Sequence, residues 1–191
     1  MELVFIRHGQ GYHTLNLPES LQLRDSPLTD QGIKQAISLR ETFPLTNKDI
    51  IVISPIRRTL QTAFIWSKGM ECKKIVNPLV SPRMFPQKTK WSTLPCDKMM
   101  DSKLIEKEFP DFTLEGNWST ELWSEGINTI SEEGFSILGE KFIEWCKQQN
   151  TETIYIVSHD GTITSYRQLL SGQRLSRKDF PEETGWIKIK I

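Results

Sequence analysis

Three short apolar runs constrain this chain more than any other feature. Leu3-Val4-Phe5-Ile6, Ile50-Ile51-Val52-Ile53 and Ile154-Tyr155-Ile156-Val157 are unbroken, rich in β-branched residues and bounded by polar segments. Continuous runs of this length read as strands buried on both faces, the pattern of a parallel sheet covered by helices. Each run leads into a segment loaded with reactive side chains: Arg7-His8-Gly9, Ser54-Pro55-Ile56-Arg57-Arg58 and Ser158-His159-Asp160-Gly161. In open α/β sheets the ligand site lies beyond the carboxyl ends of the strands. Two histidines, Arg7 and the Arg57-Arg58 pair should therefore converge. Such a cluster suits an anion, and phosphate is the first expectation.

The stretches between these runs carry helix signals, so the class is α/β. Thr29 is a candidate N-cap, Asp30 suits the positive end of a helix dipole, and Ile33, Ala36 and Ile37 follow at helical spacing until Phe43-Pro44. A second helix is expected from Pro55, placed at its first position, to about Lys68. A third strand is expected at 74–80. Ser131 caps a further helix whose Phe135, Leu138, Phe142 and Trp145 share one face. Another helix is expected from Gly161 to about Leu170, and residues 186–191 alternate like an edge strand. Residues 9–27 are polar and rich in turn formers, which reads as a long active-site loop.

A single domain spanning 1–191 is expected, with an insertion at about 81–128 lying over the active site. There Pro82, Pro86, Pro95 and Pro110 break the periodicity. Its many large residues, among them Met84, Phe85, Trp91, Phe109, Phe112 and Trp118, read chiefly as a small core of the insertion's own.

Charge narrows the function classes. Lys plus Arg and Asp plus Glu number 24 each, so the chain is formally neutral and lacks the broad basic footprint of a nucleic-acid or anionic-membrane binder. Three well-separated cysteines and three histidines make neither a disulfide framework nor a metal site. No run approaches the length of a membrane span and no leader is visible at Met1-Glu2, so a cytoplasmic protein without metal or cofactor is expected.

The chemistry follows from the residue types. A phosphate monoester carries close to two negative charges, which fixed donors must neutralise before attack at phosphorus. Arginine grips phosphate oxygens as a fork, which lysine cannot do. Histidine is a suitable nucleophile, forming a phosphohistidine that water resolves. Adjacent guanidinium groups keep such a histidine neutral. His8 fits that role and His159 that of a donor to the transferring group.

On these residues the chain resembles the histidine phosphatase superfamily, in its phosphoglycerate mutase-like branch. Arg7-His8-Gly9 resembles the family signature, Ser54-Pro55-Ile56-Arg57-Arg58-Thr59-Leu60-Gln61-Thr62-Ala63 its second segment, and Ser158-His159-Asp160-Gly161 its late histidine motif. Asp25-Ser26-Pro27-Leu28-Thr29-Asp30-Gln31-Gly32 and Gln35-Ala36 match the stretch that opens its first helix. The resemblance implies a three-layer α/β/α sandwich around a mostly parallel sheet. It also implies hydrolysis of a small phosphorylated substrate through phospho-His8, with Arg7, Arg58 and His159 around the phosphoryl group. It selects Arg58 over Arg57, which is left as a solvated or salt-bridged residue. Gly9, Gln10, His13, Arg83 and Asp97 are the candidate substrate-binding residues.

Two departures stand out. Thr14 occupies a position where the family usually has Asn, and Leu79-Val80-Ser81-Pro82-Arg83 holds no carboxylate where the usual acidic Glu would stand. The candidate proton donors are then Asp160 and, from Pro95-Cys96-Asp97, Asp97, with Asp160 preferred. A mutase-type phosphoryl transfer and a catalytically weak phospholigand-binding regulator are the alternative functions.

Overall fold

A computed structural model describes residues 1–88 and 90–191 of the chain. Within them lies a six-stranded sheet of strand order β4-β3-β2-β5-β1-β6. The strands are β1 (Glu2–Arg7), β2 (Ile50–Ile53), β3 (Lys73–Val76), β4 (Thr113–Leu114), β5 (Thr153–Ser158) and β6 (Trp186–Lys190). All pairs are parallel except that between β1 and the edge strand β6. Register aligns Arg7 with Ser158 and Ile53 with Val157, so β1, β2 and β5 end together.

The helices are α1 (Asp30–Thr42), α2 (Arg57–Trp66), α3 (Ser102–Glu108), α4 (Thr120–Glu125), α5 (Glu132–Gln148) and α6 (Asp160–Ser171). Thr29 and Ser131 cap α1 and α5 by accepting from the backbone N–H of Gly32 and Gly134. The strands divide the core by simple alternation. Leu3, Phe5, Val52, Ile154 and Ile156 meet Phe135 and Phe142 of α5 and Ile163 and Tyr166 of α6. Val4, Ile6, Ile51, Ile53 and Val157 meet Leu39 of α1 and Leu60, Ala63 and Trp66 of α2. The sheet is thus the middle of three layers.

Several local expectations shift. In α1 the buried face is Gly32, Ala36 and Leu39, while Ile33 and Ile37 face solvent. The small residues let the loop after β1 press against the helix: a Cβ at Gly9 would lie 2.6 Å from the Gly32 carbonyl oxygen. Pro55 precedes α2 rather than opening it, because the Ile56 N–H bonds the Ser54 carbonyl at 2.8 Å and the helix begins at Arg57. The third strand stops at Val76, since the Asn77 side chain accepts from Leu79 N–H and starts a 3-10 turn, Pro78–Val80.

The large residues of the 81–128 segment do not form a separate core. Met100, Ile105, Phe109 and Phe112 join the α1–α2 layer, and Trp118 and Leu122 pack against the other. The segment wraps the β3–β4 edge of the sheet, and only its earlier part and its return at Asn128 reach the carboxyl-end cavity. Three buried bonds pin its root to β5 and α6. Ser158 Oγ donates to Val80, Thr162 Oγ1 to Ser81 and Tyr166 Oη to Leu79, each to a carbonyl oxygen.

Candidate active site

Beyond the carboxyl ends of β1, β2 and β5 a cavity of about 630 Å³ opens, lined by Arg7, His8, His13, Arg58, His159 and Asp160, among others. His8 follows β1 and is 2% exposed. Its Nδ1 lies 2.7 Å from the carbonyl oxygen of Gly9, which can only accept. The ring proton therefore sits on Nδ1, and Nε2 carries the lone pair. Arg58 Nε donates to that nitrogen at 3.1 Å. His8 stays neutral because burial, first, and then the Arg58 charge hold its pKa well below the ordinary value of 6.5. The guanidinium effect expected from the sequence is present, with burial the larger cause.

Arg58 is delivered by the first turn of α2 and is the central donor of the site. Besides His8, it donates through Nη1 to the Cys96 carbonyl oxygen at 2.6 Å and through Nη2 to Asp97 Oδ1 at 2.8 Å. Nη2 also lies 3.2 Å from His159 Nδ1. An arginine cannot accept, so Nδ1 of His159 accepts and its Nε2 holds the proton, which points to Ser54 Oγ at 2.8 Å. Burial and then Arg58 push the His159 pKa well down as well. Arg57, one residue away, points outward and pairs with Asp25 and Glu108. Those two carboxylates raise its pKa, Glu108 first.

Arg7 donates through Nη1 to the Pro181 carbonyl oxygen at 2.9 Å and pairs through Nη2 with Asp160 Oδ2 at 3.0 Å. Its buried Nε has no partner. Asp160 is the first residue of α6, and its Oδ1 accepts from the Gly161 N–H at 2.7 Å. At the floor of the resting site Arg7 is thus paired with Asp160 and Arg58 with Asp97.

His13 stands 5.5 Å from His8, ring to ring, on the loop before α1. Burial, then Arg58, bring its pKa down to about 2, and its Nδ1 lacks a partner. The remaining sequence candidates lie differently. Gln10 turns from the cavity, bonding Thr29 and Glu183 through its side chain. The small size of Gly9 serves contact with α1, as its Gly32 neighbour shows. Arg83, the cation expected near substrate, lines the cavity, while its Nη1 donates to the Ile127 and Ile130 carbonyls and its guanidinium lies 4.2 Å over the Phe135 ring. It ties the two ends of the 81–128 segment together. Among the described residues no group of three or more His, Cys, Asp or Glu could hold a metal ion.

Sequence reasoning missed several contributors. Ser54 orients His159, and Thr62 Oγ1 links Arg58 to β1 by donating to the Arg58 carbonyl and accepting from Gly9 N–H. Thr62 lies one turn after Arg58 on α2, which was a usable signal, while Ser54 stands before the helix at the carboxyl end of β2. Arg177 and Phe180 reach the cavity from the chain's last loop, with no local pattern to mark them.

The middle sheet of three layers thus carries His8, His159, Arg7 and Arg58 together at its carboxyl edge, a cluster suited to an anion. The sequence profile of the histidine phosphatase superfamily (branch 1) matches residues 3–186, and the chain belongs to that family. Phosphoglycerate mutase-like protein 1 of Arabidopsis thaliana is 26% identical over 192 residues, covering 83% of this chain and 68% of that protein. Among solved structures, the alpha-ribazole phosphatase of Shigella flexneri is similar with a TM-score of 0.62 and 22% identity, covering 100% of this chain and 91% of that one. A phosphoserine phosphatase of Entamoeba histolytica in complex with phosphoserine has a TM-score of 0.62 and 21% identity, covering 98% of this chain and 89% of that one. At these identities the likeness is one of fold.

Proposed function

We propose that the protein is a phosphatase that hydrolyses a small phosphate monoester through a phosphohistidine on His8, without a metal. The orientation of His8 carries this reading: Nδ1 is held by the Gly9 carbonyl, leaving the Nε2 lone pair among Arg58, His159 and Arg7. Nε2 attacks phosphorus and the ester P–O bond breaks. Arg58 and Arg7 turn their forks from the two carboxylates to the phosphoryl oxygens. His159 keeps its Nε2 proton on Ser54, takes up a second proton at Nδ1 from solvent as Arg58 turns to the phosphate, and donates it as a hydrogen bond to the phosphoryl group. Asp160, released from Arg7, takes up the proton that the ester carries as its monoanion and passes it to the leaving oxygen. Water then attacks phosphorus, the P–N bond breaks, Asp160 takes the water's proton, and phosphate leaves. The residues of 82–97 that reach the cavity shape the leaving-group side.

Phosphatase neighbours of the same fold support hydrolysis over mutase chemistry. The test is p-nitrophenyl phosphate hydrolysis in chelator by wild type and His8→Ala, with a base-quenched search for phosphohistidine. Loss of both signals in the variant is expected. Hydrolysis that survives the substitution refutes the mechanism. A wild type that binds vanadate yet cleaves no ester would support the regulator instead.

A further inference from the structure

The cavity is larger than a phosphoryl group requires, and its volume of about 630 Å³ is that of a site for a whole small molecule. Its floor is the arginine and histidine cluster. The rest of the wall changes character: Leu17, Leu21, Met84, Phe85, Leu94 and Phe180 face the space. Apolar surface continues outward, since Leu17 is 61% and Trp91, also on the wall, 40% exposed. Tyr12, Leu15 and Leu23 of the same loop as Leu17 are exposed too. Apolar side chains gathered at the mouth of a cavity mark a ligand or partner surface.

The polar groups left over are few. Lys88 lies 5.6 Å over the Trp91 ring and Arg177 5.5 Å over the Phe180 ring, so both cations are stacked on the apolar wall. Arg83 is turned toward Ile127 and Ile130. Thr14 donates its hydroxyl to the Gly11 carbonyl. His13 Nδ1, Asn128 Nδ2, Arg7 Nε and the Nε and Nη2 of Arg83 remain without hydrogen-bond partners. They can serve the phosphoryl oxygens and a polar substituent near them, while Leu17, Leu21, Met84, Phe85, Leu94 and Phe180 offer no partner to the ring of hydroxyls that a sugar would bury against them.

We propose that the alcohol released by this enzyme carries a bulky apolar group, an alkyl chain or aromatic ring, and is not a sugar. The inference rests on the phosphomonoester reading of the site and names its substrate class. Binding of n-alkylphosphonates, which cannot be hydrolysed, tests it apart from catalysis. Calorimetry on the full chain should show Kd tightening about three- to fourfold per added methylene, or roughly 100-fold from ethyl- to hexylphosphonate. Leu17→Ser and Trp91→Ser, at exposed positions that leave folding intact, should flatten that slope. A flat wild-type series, failure of every phosphonate to displace vanadate, or tighter binding of phosphoserine or a sugar phosphate than of hexylphosphonate overturns it. A flat series together with hydrolysis lost in His8→Ala would sink the substrate class and leave the phosphatase standing.

Discussion

Lowering pH from 7.5 to 5.5 should destabilise this protein by an amount set by its three histidines. All of them, His8, His13 and His159, are buried in one cluster with Arg58, and each has its pKa driven down from 6.5. In the unfolded chain each takes up a proton as pH falls through about 6.5. In the folded chain none does until far lower pH. The unfolded state then binds more protons, so stability falls as pH falls. At pH 5.5 each histidine contributes a loss of about 1.4 kcal/mol, and the cluster about 4 kcal/mol. That is a large share of the roughly 5–15 kcal/mol that stabilises a typical domain. For a chain of this size it lowers Tm by roughly 10 °C. Urea and thermal melts in phosphate-free buffer at pH 7.5, 6.5 and 5.5 measure it, and His13→Asn should remove about a third of the pH dependence. The window lies above the titration of ordinary carboxylates, which isolates the histidines. A midpoint unchanged between pH 7.5 and 5.5 would show that the folded cluster accepts protons, refuting both the neutral His8 and the burial argument.

Arg58→Lys keeps the charge but loses the fork that reaches His8, His159 and the phosphoryl group at once; kcat/KM for p-nitrophenyl phosphate should fall by about 10²–10³. A fall of less than tenfold would mean charge alone suffices. Asp160→Asn should slow alkyl esters far more than p-nitrophenyl phosphate, whose leaving group needs no proton; equal slowing would remove Asp160 as the acid and turn attention to Asp97. Gly161→Ala places a methyl group against the Arg83 carbonyl oxygen and should cost about 1–3 kcal/mol in urea melts. Tyr166→Phe leaves the buried Leu79 carbonyl without its donor, and should lower stability by about 1–2 kcal/mol with little change in KM.

Much of the fold is legible along the chain because the signals are local. The apolar runs at 3–6, 50–53 and 154–157 became the three adjacent central strands β1, β2 and β5, since β-branched runs without alternation suit no surface position. Caps at Thr29 and Ser131 were readable because a hydroxyl three residues before a free N–H is a short-range geometry. The outward isoleucines of α1 were less so. Spacing shows that a helix has a repeating face, and only the approach of Gly9 to Gly32 decides which face is inward.

The sequence by itself determined the reactive floor of the site. Parallel strands must end at one edge, and the residues that follow β1, β2 and β5 must therefore meet there. His8, Arg58 and His159 are together for that reason, and the family resemblance of the segment after β2 singled out Arg58 from Arg57. What only the tertiary structure decided lies in the choices among long-range partners. Arg83 reads as a free cation until the segment's return brings the Ile127 and Ile130 carbonyls to it. The large residues of 81–128 read as a core of their own until the β3–β4 edge is seen beneath them. Leu17, Phe85 and Phe180, far apart in the chain, become one apolar wall. Periodicity and capping act over a few residues and leave their mark in any short window; a wall built from distant loops has no such mark, because only folding closes the distance between its parts.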